Sequence, residues 1–200
     1  FGTGERTQRV ERIEPYRRNK AHELIEEAMI AANVCAARYL ARHKLPGLYR
    51  VHEGPSDEKL AELRVYLSEL GLNLRAGDGQ ASPEMYGEVL REAVGRPDRQ
   101  LIQTLLLRSL TQANYRARNT GHFGLALGHY AHFTSPIRRY PDLVVHRAIR
   151  HHLRGGKPGD GPHSMAEMAG LGEHTSRTER RAEDAVRDVV AWLKCEYMQD

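Results

Sequence analysis

Two adjacent arginines, Arg138 and Arg139, follow Ser135 and Pro136 in the run "YAHFTSPIRRYPDLVVHRAIR", with His132 and Tyr140 on either side. A guanidinium is a planar fork of N–H donors that stays charged at physiological pH, so it matches two oxygens of one phosphate. Ser-Pro is a cap and first-turn pair. It predicts a helix that opens at Pro136, carries Ile137, Arg138 and Arg139 in its first turn, and runs on through Leu143, Val144, His146 and Ile149. Unpaired backbone N–H groups and the positive end of the helix dipole would then favour an anion beside the arginines. Pro141 would fall a turn inside that helix and remove a hydrogen bond, so a bend or a restarted helix is expected there. The alternative for Arg138 and Arg139 is solvation, or pairing with a carboxylate such as Asp142. His132 and Tyr140 have the chemistry to stack on bases or touch phosphates, and equally the chemistry of core residues beside a buried turn. His151 and His152 lie too far along from His146 for a helical ligand pair, so no histidine is assigned to a metal.

The elements that must position these groups are mostly helices. "QRVERIEPY" reads as a frayed extended segment. Asn19 then caps a helix with an apolar stripe from Leu24 and Ile25 through Met29 and Cys35 to Leu40, closed by Pro46 and Gly47. "LYRVH" is short and extended. Ser56, Asp57 and Glu58 open a second helix with Leu60, Leu63, Leu67 and Leu70 on one face and Gly71 as its stop. "RAGDGQA" is a loop, and Ser82-Pro83 starts a helix that ends at Gly95. Asp98 caps "DRQLIQTLLLRSLTQANY", a helix with its stripe through Leu101, Leu105 and Ser109. "HFGLALGHYAHFTS", rich in Gly and aromatics, reads as short strands or extended loops. Ser164 and Glu167 form a capping box before a long helical tail, which Gly170 and Gly172 are expected to bend or split. The predicted fold class is α+β and mostly helical, with helices around a few short strands.

With 200 residues, 40% of them hydrophobic, the chain can bury a core as one large or two small domains. It holds no apolar run near the roughly 18 residues of a membrane span, and no signal-peptide h-region, so the expected location is the cytoplasm, away from membranes. Cys35 and Cys195 are expected to be free, buried thiols with no disulfide partner. A formal charge of +4 suits a polyanionic partner.

Three segments, "HFGLALGHYAHFTSPIRRYPDLVVHRAI", "LIEEAMIAANVCAARYL" and "ERRAEDAVRDVVAWLKCEYM", closely resemble the catalytic domain of the ribonuclease II family, in the same order and across nearly the whole chain. The block "TSPIRRY", Thr134 to Tyr140, is a specific marker of that family. The resemblance implies processive 3′-to-5′ hydrolysis of single-stranded or structured RNA to nucleoside monophosphates, with Mg²⁺ ions activating a water and steadying the leaving oxygen. Carried over residue by residue, it implies that Arg138 contacts the phosphate near the scissile bond. Glu179, of the "ERRA" segment, would orient that arginine or touch the terminal nucleotide; its alternative is a surface glutamate paired with Arg180 or Arg181. A glutamate of "LIEEAMIAAN" would contact a ribose. Helical spacing places Glu26 with Asn33 on one edge of the apolar stripe and turns Glu27 elsewhere, so Glu26 is chosen. Ser135, His132, Arg139 and Tyr140 complete the expected substrate contacts. The family's metal-holding aspartates form a compact cluster with no counterpart here, since Asp142, Asp184 and Asp188 are dispersed. Residues 1–200 are therefore expected to be the distal portion of the catalytic domain. The metal-binding half, which would be the partner of this portion, and the cold-shock and S1 modules are expected elsewhere in a longer parent. In isolation the chain would act as an RNA-binding or protein-interaction module without chemistry of its own.

Overall fold

The computed structural model describes residues 10, 12–74 and 81–198. Most of "RAGDGQA" and part of "QRVERIEPY" lie outside the described residues.

Helix α1, Lys20–Arg42, starts where Asn19 Oδ1 accepts from the His22 backbone N–H at 3.0 Å and His22 Nδ1 accepts from the Asn19 N–H at 3.2 Å. This is a capping box with histidine in the role usually taken by Glu or Gln. Only the second half of the expected stripe is used: Asn33, Ala36, Ala37 and Leu40 are buried, whereas Leu24 and Ile25 stand exposed. Cys35 and Cys195 are free as expected but exposed, which corrects their assignment to the core. After α1 the chain forms strand β1, Tyr49–Val51, which pairs antiparallel with β2, Asn114–Arg116, so that Arg50 lies opposite Tyr115.

Between the two strands, α2 (Asp57–Glu69), α3 (Pro83–Glu92) and α4 (Arg99–Ser109) make one apolar core with Leu60, Leu63, Leu67, Val89, Ile102 and Leu106 at its centre. In α4 the buried positions are Ile102, Leu106 and Ser109, while Leu101 is exposed, so its inward face lies one residue along from the expected stripe. Leu101, Ile102, Leu105 and Leu106 form an apolar arc wide enough to allow either phase, and the neighbours α2 and α3 choose between them. Helix α4 also ends at Ser109 rather than running on to Tyr115, because the backbone of 114–116 is taken by the ladder with β1. Asp98 makes no capping hydrogen bond; its carboxylate is held by Arg96 at 2.9 and 2.7 Å.

Helix α5, Tyr140–Leu153, packs Val145 and Ala148 against Ala36, Leu40 and Val51. It begins at Tyr140, four residues later than a helix opened by Pro136 would. Residues 136–138 form a separate turn in which the Arg138 and Arg139 N–H groups both reach the Ser135 carbonyl, at 3.2 and 3.0 Å. Pro141 decides this: in the first turn of α5 its missing N–H would be unpaired in any case, whereas one turn further in it would break a bond.

Helix α6, Met165–Tyr197, is continuous through Gly170 and Gly172, so the expected break is absent. Gly172 instead permits a close crossing: a Cβ there would lie 2.6 Å from the Tyr115 carbonyl oxygen. One turn on, the Ser176 hydroxyl accepts the Tyr115 N–H at 2.8 Å and donates to the Gly172 carbonyl at 2.7 Å. Among the described residues no helix is long and apolar enough to cross a membrane.

The two glycines should respond oppositely to the same substitution. Gly172→Ala forces backbone apart and is expected to cost about 1–3 kcal/mol. Gly170→Ala meets nothing within 4 Å and should gain about 0.5–1 kcal/mol from lost chain entropy. Urea midpoints of the two variants check both signs.

Candidate nucleic-acid interface

The carboxylate of Asp142, in the first turn of α5, has no exposed surface. Its Oδ1 accepts the Ser135 N–H at 2.7 Å and Arg139 Nη2 at 2.8 Å. The turn is thus tied to the helix it precedes, and the two arginines part company. Arg139 pairs with Asp142, while Arg138 is exposed and its guanidinium makes no hydrogen bond or ion pair among the described residues. The approach to the turn is held by Asn33, whose Oδ1 accepts the Phe133 and Thr134 N–H groups at 2.9 and 3.3 Å and whose Nδ2 donates to the Tyr130 hydroxyl at 3.1 Å. His146 supports the same stretch through the Phe133 carbonyl at 2.8 Å and a stacked ring 4.0 Å away.

Glu179 reaches across from α6. Arg50 Nη1 donates to its Oε2 at 2.5 Å, and the Tyr115 hydroxyl donates to its Oε1 at 3.3 Å. The Arg50 guanidinium also sits 4.6 Å from the centre of the Tyr115 ring. Glu179 therefore pairs with Arg50, which corrects the expected pairings with Arg138, Arg180 or Arg181. The Tyr115 hydroxyl lies 2.8 Å from His132 Nδ1. Burial raises the Tyr115 hydroxyl above its ordinary range. Burial, reinforced by the positive charges of Arg139 and Arg50, lowers His132 to about 3. His122 is lowered to about 4, again by burial first, then by His52 and Arg50.

Between the turn and the distal half of α6 lies a groove of about 910 Å³, lined by Arg138, Arg139, Tyr140, Glu179, Arg187 and Lys194 among others. The structure thus gathers Arg138, Arg139, Tyr140 and Glu179 on one groove. Ser135 sits in the supporting turn, and His132 touches Tyr115, another lining residue. Asn33 is buried and structural. Glu26 lies on the exposed half of α1, pairs with Arg18 and does not line the groove; Glu27 is exposed. Arg50 and Tyr115 escaped sequence analysis; the available signal was "LYRVH", a strand carrying a lone cation. Among the described residues no group of three or more His, Cys, Asp or Glu comes together to hold a metal ion. Asp142 Oδ1 is taken by Ser135 and Arg139 and only its buried Oδ2 is left over, and with no group of three such residues around it the residues described do not fit Mg²⁺.

The chain thus carries an exposed arginine, without a partner among the described residues, at the edge of a groove that Tyr115 of the small two-stranded sheet also lines. It belongs to the RNB domain family, whose profile matches residues 3–155. Ribonuclease R of Vibrio parahaemolyticus is 52% identical over 201 residues, covering 96% of this chain and 24% of that protein. The chain thus spans about a quarter of the length of the curated relatives it matches. Among solved structures, Mycoplasma genitalium RNase R in complex with ribose methylated single-stranded RNA superposes with a TM-score of 0.82 at 30% identity, covering 90% of this chain and 28% of that one. The same enzyme in complex with double-stranded RNA gives 0.81 at 30% identity, covering 88% and 32%.

His132 and His122 set a pH dependence of stability. Each titrates near 6.5 when unfolded and well below that when folded, so between those values the unfolded state binds more protons and stability falls as pH falls. At roughly 1.4 kcal/mol per pH unit, acidifying from about pH 6.5 to 5 should cost on the order of 2 kcal/mol for His132, the more deeply buried of the two, and less for His122, which solvent screens more. Urea titrations across that range check the slope, which His132→Gln should flatten.

Proposed function

We propose that this chain supplies the phosphate-binding wall of a 3′-to-5′ exoribonuclease, and that residues 1–200 are the distal portion of its catalytic domain. The observation that carries this is Arg138: an exposed guanidinium without a hydrogen-bonding or ionic partner among the described residues, on the rim of a groove that also holds Arg139 and Tyr140. Such a fork offers two parallel donors to a phosphoryl group, and the anchored turn fixes the backbone from which it reaches. Membership of the RNB family, the ribonuclease R relatives and the RNA complexes of the Mycoplasma enzyme support RNA as the substrate class. On this reading Arg139, tied to Asp142, braces the turn, Tyr140 offers a ring to a base, and Glu26 meets a ribose once Arg18 yields it. Mg²⁺ would be held by residues beyond those described here, and the working compartment is the cytoplasm.

A second reading is favoured by the absence of a metal-ligand cluster among the described residues: in isolation the chain binds RNA and does no chemistry. The 200-residue chain is accordingly expected to release no nucleotides from single-stranded RNA with Mg²⁺ present, and robust release would assign metal ligands to this chain after all. In a longer protein that carries this domain, Arg138→Lys keeps the charge but loses the fork. It is expected to lower kcat by about 2–4 kcal/mol in activation free energy, with RNA affinity close to normal. Single-turnover rates and binding titrations separate the two effects, and unchanged turnover would return Arg138 to a solvated surface role.

A further inference from the structure

Behind the arginines, the hydrogen bonds among Arg50, Glu179, Tyr115 and His132 have a direction. Glu179 is flanked by the Arg50 guanidinium at 2.5 Å and the Tyr115 hydroxyl at 3.3 Å. A carboxylate accepts only, so the one Tyr115 proton points at Glu179. The other contact of that hydroxyl, His132 Nδ1 at 2.8 Å, must then be an N–H donating to the phenol oxygen. The opposite order would set two acceptors, the phenol oxygen and the carboxylate, face to face. Each residue therefore fixes the next: Arg50 orients Glu179, Glu179 orients the Tyr115 proton, and Tyr115 chooses the His132 tautomer.

The consequence falls on the far side of the imidazole. With a proton on Nδ1 and a second proton opposed by burial and by Arg139, Arg50 and Arg138, His132 Nε2 is a bare acceptor. It makes no hydrogen bond among the described residues and is not one of the buried unpaired atoms, so it is open to an incoming donor. A phosphate has no proton to give at neutral pH and would be repelled by a lone pair, whereas a hydroxyl next to a phosphate suits it. In a polynucleotide that describes the ribose 2′-hydroxyl, which DNA lacks.

We propose that His132 is a sugar-discriminating contact, accepting a ribose 2′-hydroxyl at Nε2, and that Tyr115 and Arg50 are positioning residues that hold its tautomer through Glu179. This rests on the RNA-binding role proposed above, so its test separates the two. The tautomer is read without RNA, from long-range ¹⁵N–¹H correlations of imidazole-labelled chain. His132 is expected as the neutral Nδ1–H form at pH 7, and Tyr115→Phe, which keeps the ring and removes only the acceptor oxygen, should move it towards Nε2–H. The Nε2–H form in the unsubstituted chain would overturn the proposal.

Binding is then measured by fluorescence anisotropy with an oligoribonucleotide and with the same strand carrying one 2′-deoxyribose at each of its last few 3′ positions in turn. One position should weaken binding roughly three- to ten-fold, the worth of one neutral hydrogen bond. His132→Ala should reduce that factor to about two or less, with the salt dependence that reports phosphate contacts unchanged. Circular dichroism confirms that the variant is folded, and His132→Phe, which keeps a ring and offers no acceptor nitrogen, carries the test if His132→Ala is not. An undiminished ribose preference in a folded variant would overturn the sugar contact. The expected tautomer with no RNA binding at all would overturn the RNA-binding role, and the sugar contact with it.

Discussion

The candidate site depends on one carboxylate that water does not reach. A buried charge is costly unless it is paired and hydrogen-bonded, and Asp142 meets that condition at Oδ1 alone, its Oδ2 being buried without a hydrogen-bond partner among the described residues, so the two Oδ1 contacts dictate the backbone around it. Its partners are the Ser135 N–H and the Arg139 guanidinium, on either side of the turn at 136–138. Satisfying both at once leaves the turn little freedom, and with Pro141 in the first turn of the helix the chain enters α5 at Tyr140. Arg138, between the two anchored residues, is the side chain the arrangement does not consume. Two arginines adjacent in sequence thus become a structural cation and a free one.

The opposite wall follows from a single helical stripe. Gly172, Ser176 and Glu179 are spaced to share a face of α6. Gly172 lets the helix lie against the Tyr115 carbonyl, Ser176 takes the Tyr115 N–H, and Glu179 takes the Tyr115 hydroxyl and Arg50. Backbone contact thereby sets the height at which the carboxylate arrives. Beyond β2 the same helix continues without a partner among the described residues, and Val186, Val190 and Lys194 line the groove. A break at Gly172 would have uncoupled the two halves; an unbroken helix carries the alignment from the sheet to the groove.

What was legible in the sequence is what neighbours in sequence decide. The caps at Asn19, Ser56, Ser82 and Ser164 and the Leu60, Leu63, Leu67 face depend on contacts within a few residues, and each appears as expected. The phase of α4, the exposed half of α1 and the role of Gly172 depend on elements distant in the chain, and periodicity is silent on them. Arg138 stood out because its run is distinctive, yet its difference from Arg139 rests on how far Asp142 is buried. Arg50 and Tyr115 were invisible for the same reason: they meet only across a ladder joining positions 65 residues apart. Glu179 was singled out for Arg138 or a nucleotide, and its partner in the fold, Arg50, lies 129 residues away in the chain, where no local pattern points to it.

Pairing also decides how the groove attracts an anion. Arg139 with Asp142, Arg50 with Glu179 and Arg187 with Asp184 are ion pairs whose distant fields largely cancel. Among the lining residues this leaves Arg138 and Lys194 against Glu183, with no ion-pair partners among the described residues. Exposed charges are screened over roughly 8 Å at physiological ionic strength, so this small excess acts at contact range and does little to steer ligands from afar. On the proposed reading a site of that kind discriminates by geometry: a phosphate would gain from Arg138 only when it sits at the fork, and a neutral His132 would add a hydrogen-bond acceptor without reducing the charge. The buried pairs therefore hold the surfaces in place, and the few unpaired groups are the ones left with donors and acceptors to offer a ligand.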